Sequence, residues 1–114
     1  MIKSIKLNGE EVELTINSLC HKGDVGNYKV TIEKKLTLDL EEMLKELKKE
    51  FEIDKVHKLF IIIKKEPISI SIARHGKIMI ERVSPDTPEN AFKIAEGILK
   101  TIPGYEGLVK IKKP

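Results

Sequence analysis

Apolar and polar residues alternate along several segments of this chain, and the alternation turns over at recognisable turn sequences. Asn8-Gly9 lies between two such segments. Asn-Gly is the preferred two-residue type I′ hairpin turn, because both residues tolerate a positive φ. It sets Leu7 opposite Glu10, Lys6 opposite Glu11, Ile5 opposite Val12 and Ser4 opposite Glu13. Ile5, Val12, Leu14 and Ile16 then share one face, and Lys6 and Glu11 pair on the other. The second strand runs to about Leu19, a glycine-containing loop spans His21 to Asn27, and Tyr28, Val30 and Ile32 alternate with polar residues in a third strand.

A second hairpin tests the pattern. Ile68, Ile70 and Ile72 alternate with Ser69, Ser71 and Ala73. A two-residue loop at His75-Gly76 would mix the faces of the following strand. A three-residue loop, Arg74-His75-Gly76 with Gly76 left-handed, pairs Ile72 with Ile78, Ile70 with Ile80, Ser71 with Met79 and Ser69 with Glu81. One face becomes wholly apolar, so the three-residue loop is expected.

Two segments change period. After Asp39, with Glu42 three residues on, Leu40, Met43, Leu44, Leu47 and Phe51 recur at helical spacing. After Thr87-Pro88, with Glu89 in the first turn, Ala91, Ile94, Ala95, Ile98 and Ile102 do the same until Pro103-Gly104. Gly97 inside that helix costs about 1 kcal/mol against alanine, which suggests a close neighbour. Leu108 to Ile111 can add a short last strand.

The expectation is one α+β domain over 1–114. It is built as two βββα units, 1–55 and 56–114, an internal repeat, forming a mostly antiparallel sheet with both helices on one face. Leu59-Phe60-Ile61-Ile62-Ile63 opens the second unit and is apolar on both faces. Part of it must point away from the helices, and monomers rarely leave such a patch bare. With Ser69, Ser71 and Met79 it forms a candidate partner surface, most simply for a homodimer. A small non-catalytic protein acting by protein–protein association follows.

Composition narrows the alternatives. The 114 residues are 40% apolar and 34% charged, enough for one core. Lys and Glu are abundant, Gln and Trp are absent, and a thermophilic source fits that bias. The longest apolar run is Leu59 to Ile63, too short for a bilayer, and no secretory pattern follows Met1, so a cytoplasmic protein without a membrane role is expected.

The net charge of +3 is modest and its signs are interleaved. Lys34-Lys35, Lys64-Lys65 and Lys112-Lys113 recur at strand ends and give a second reading, RNA or DNA contact through phosphates. Lysines there also deter edge aggregation, and few aromatics remain for base stacking. Cys20, His21 and His75 are weak metal or nucleophile candidates, and a lone cysteine forms no internal disulfide. No phosphate loop, dinucleotide fingerprint, zinc-protease or hydrolase motif occurs, so no cofactor is implied.

Overall fold

A computed structural model describes residues 1–109, with the side chain of His21 excluded. The elements run β1 (Ile2–Leu7), β2 (Glu10–Lys22), β3 (Val25–Ile32), α1 (Leu40–Leu47), β4 (Glu52–Val56), β5 (Phe60–Lys65), β6 (Ile68–Ala73), β7 (Lys77–Val83), α2 (Pro88–Leu99) and β8 (Tyr105–Leu108). The protein is α+β: among the described residues eight strands form one sheet in the order β4-β5-β6-β7-β3-β2-β1-β8, with two helices. Every strand pairing is antiparallel. Among the described residues no helix is long and apolar enough to cross a membrane.

Turn chemistry fixes both hairpins. Asn8 and Gly9 have φ of 52° and 80°, and β1–β2 pair as the alternation requires, Ile5 with Val12 and Leu7 with Glu10. Gly76 has φ 98° and donates its N–H to the Ala73 carbonyl, closing the three-residue loop. Ile70 lies opposite Ile80 and Ser71 opposite Met79. A one-residue slip would have sent those isoleucines to water.

The helices begin where their caps dictate. The Asp39 carboxylate accepts from the Glu42 N–H at 3.1 Å, and the Thr87 hydroxyl accepts from the Asn90 N–H at 3.2 Å with Pro88 following. Met43 and Leu47 of α1 join Ala91, Ala95 and Ile98 of α2 in one cluster with the inward residues of β1, β2, β3, β5, β6 and β7. Nine of those inward residues are isoleucines, and the two fully buried ones on β5, Ile61 and Ile63, sit beside Ile72 and Ile70.

The structure departs from the sequence expectation in several places. Four strands, not three, lie between the two helices, because Glu52–Val56 forms an edge strand where a linker was expected. Helix α1 stops at Leu47, so Phe51 packs on the core from the turn beyond it. The β2–β3 hairpin extends to Lys22 and Val25, shortening the expected loop to Gly23-Asp24. Gly97 has no neighbour within 4 Å of the point where a Cβ would lie, so close packing is not its reason. The last strand among the described residues is Tyr105–Leu108, pairing with β1 at the sheet edge, and Lys110 to Lys113 lie outside the described residues.

Candidate functional site

The face of the sheet opposite its buried isoleucines is the candidate site. Alternate residues point there by the strand period. They are Phe60, Ile62 and Lys64 on β5, Ala73, Ser71 and Ser69 on β6, Lys77, Met79 and Glu81 on β7, and Lys29 and Thr31 on β3. All are half-buried or exposed, whereas the alternating residues Ile61, Ile63, Ile70, Ile72, Ile78 and Ile80 are buried. Register sets Lys55, Ile62, Ser71, Met79 and Lys29 in one row across five strands.

The apolar segment on β5 is therefore divided. Ile61 and Ile63 have no exposed surface and belong to the core. Phe60 and Ile62 look outward, next to the small residues Ala73 and Ser71, with Met79 one strand further and 41% exposed. Leu59 lies in the turn before the strand and is 61% exposed.

Phe60 is held by its neighbours. The His57 ring stacks on it at 4.7 Å and 20°, and Lys55 Nζ stands 5.8 Å from the ring centroid. The Leu59 N–H donates to His57 Nδ1 at 3.1 Å, which fixes the imidazole over the ring. Beside it, Thr37, Leu59, Phe60, Ala73, Arg74 and His75 line an open hollow of about 370 Å³. Arg74 is already engaged there: its Nε donates to the Lys58 carbonyl at 2.8 Å and its guanidinium pairs with Glu41 at 2.8 Å. That guanidinium holds the Glu41 carboxyl below its ordinary value.

Charge on this face is of both signs, and Lys22 at the end of β2 joins its cations. Lys6, Lys29, Lys55, Lys64 and Lys77 point outward, and so do Glu11, Glu13, Glu33, Glu52 and Glu81. The two lysine pairs among the described residues do not converge. Lys34 follows the end of β3 and pairs with Glu10, whereas Lys64 stands level with Ser69 and Glu81 at the other end of the sheet. Lys64 also pairs with Asp54 at 3.6 Å, and Lys65 lies over Phe51. Lys35 is exposed beside Lys34.

Cys20 and His75 also sit at opposite ends of β3. Cys20 is level with Asn27, whose amide donates to its sulfur at 3.4 Å, whereas the turn carrying His75 reaches Ile32. Both are exposed. Among the described residues no group of three or more His, Cys, Asp or Glu is placed to hold a metal ion.

One buried polar contact escaped the sequence reading. Tyr28 is buried, and its hydroxyl donates to Asp86 Oδ1 at 2.6 Å. Burial, then the Asp86 carboxylate, pushes the Tyr28 hydroxyl up to about 12. Gly26 makes room for this contact, since a Cβ there would stand 2.1 Å from Asp86 Oδ1. Lys55 and Lys77 were missed too: β4 was not foreseen, and Lys77 falls at the start of its strand. Comparison of the chain with protein-family models, with curated proteins and with solved structures finds no match.

Proposed function

We propose that the protein acts by association and that a second copy of this chain covers the open sheet face. One observation carries the reading: Phe60 and Ile62 on β5 and Met79 on β7, with the small residues of β6 between them, point away from the buried isoleucines, and Met79 is 41% exposed. A buried apolar centre with a polar rim is the usual anatomy of a homodimer interface. The molecule measures 39 by 33 Å in its two larger dimensions, which accommodates the roughly 800 Å² per partner of a standard interface. Outward lysines interleaved with outward glutamates suit a protein partner better than a polyanion, which draws on a clustered excess of cations.

Two finer readings accompany this one. Both helices bury residues in a single cluster, which supports placing them on the same face and leaving the other free. Strand β7 pairs antiparallel with β3, so the order β5-β6-β7 mirrors β1-β2-β3 across a central seam, which supports an internal repeat with β4 and β8 as added edges.

Size-exclusion chromatography with light scattering tests the association. The wild type is expected to elute with the mass of two chains, and Phe60→Lys plus Ile62→Lys with the mass of one at an unchanged fold. A wild type that stays monomeric at the highest attainable concentration removes the reading.

A further inference from the structure

The outward residues of β7 read Lys77, Met79, Glu81: a cation, an apolar side chain and an anion at successive positions on one face. Lys77 and Glu81 are both exposed, and no ion pair among the described residues uses either. The triplet is self-complementary on reversal. Turned about Met79 and laid on a copy of itself, it sets each Lys77 against a Glu81 and each Met79 against a Met79.

Strand β5, two strands away, has the same property in another chemistry. Its outward residues read Phe60, Ile62, Lys64, so the same reversal sets Lys64 of each copy level with the other's Phe60. That ring already carries His57 and Lys55, and Lys64 pairs with Asp54, so the β7 triplet carries the argument. Between them β6 offers Ser69, Ser71 and Ala73, small enough to let two sheets approach.

From these registers we infer that the dimer has its two-fold axis along the row Ile62–Ser71–Met79, across the strands, with two reciprocal Lys77–Glu81 ion pairs flanking it. This rests on the association proposed above and specifies its geometry. A two-fold axis across the strands stacks the two sheets with their strands aligned, a preferred sheet packing. Lys55 ends the row at the sheet edge, whereas Lys29 lies further in beside Asn17 of β2; both meet their own copies across the axis, and their long side chains turn aside to water there.

Charge exchange tests the geometry. In K77E each dimer would oppose two pairs of carboxylates, and in E81K two pairs of ammonium groups. Both positions are exposed, so the fold, followed by circular dichroism, is expected to be unaltered. Sedimentation equilibrium is expected to give each single variant a dimer at least about tenfold weaker than wild type, because like charges opposed across an interface disfavour association. An equimolar mixture is expected to form the K77E–E81K heterodimer at near wild-type strength, and the double variant K77E/E81K to self-associate again. If both single variants dimerise like wild type, or if the mixture restores nothing, the axis is wrong while the dimer stands. If the wild type is monomeric, the association itself is wrong.

Discussion

Substituting Gly26 by alanine probes a place where backbone and a buried polar contact compete for space. The added Cβ would stand 2.1 Å from Asp86 Oδ1 and 2.5 Å from its Cγ. The carboxylate must retreat by about 1.3 Å or more to reach ordinary van der Waals distance. The retreat disrupts the 2.6 Å bond it accepts from the Tyr28 hydroxyl. A hydrogen bond to a charged group contributes about 1.5–3 kcal/mol. Alanine returns about 0.4–1 kcal/mol by restricting the unfolded chain. The net expectation is a loss of about 1–2 kcal/mol, or a fall of roughly 4–8 °C in Tm for a chain of this size. Thermal and urea unfolding of wild type, G26A, D86A and G26A/D86A measure it. In the D86A background the clash is gone, so G26A should cost nothing or stabilise slightly. An equal loss in both backgrounds would refute the steric account.

Three further outcomes follow from the same geometry. Gly97 has open space where its Cβ would lie, so G97A is expected to stabilise α2 by up to about 1 kcal/mol, read from the urea midpoint. A destabilised G97A would show that the helix position is constrained by something other than space. The Tyr28 hydroxyl is raised to about 12 from an ordinary value of 10.0, so its contribution to stability is complete below pH 10 and is lost as pH rises toward 12. The loss in unfolding free energy across that window should be smaller in Y28F, and equal slopes would contradict the assignment. Arg74 ties the Lys58 carbonyl, the Leu38 carbonyl and Glu41 together, so R74A is expected to destabilise the protein by about 1–3 kcal/mol. E41A, which removes only an exposed partner, should cost much less.

The hairpins were legible because their turns carry local chemistry: Asn8-Gly9 and Gly76 each demand a particular backbone, and register follows from it. The helix starts were legible for the same reason, at Asp39 and Thr87. Strand β4 was not. Its residues Glu52, Asp54 and Lys55 are exposed at the sheet edge, and a bulge between Ile53 and Lys55 breaks the alternation that marks a strand. The β3–β7 seam was hidden as well, since no turn joins those strands and their pairing is decided by the shared core.

At the candidate site the surplus on β5 could be anticipated, but not its division into Ile61 and Ile63 inside and Phe60 and Ile62 outside. That depends on which side the core lies. The Tyr28–Asp86 contact spans 58 residues of sequence and leaves no local signal beyond Gly26.

The central claim is that the open face is where a second copy binds. Methyl NMR with a soluble paramagnetic agent addresses it directly, comparing dilute and concentrated protein. The Ile62 and Met79 methyls should be strongly relaxed when dilute and protected when concentrated, while Ile70 and Ile72 stay protected throughout. Ile62 and Met79 methyls equally accessible at every concentration would contradict the account.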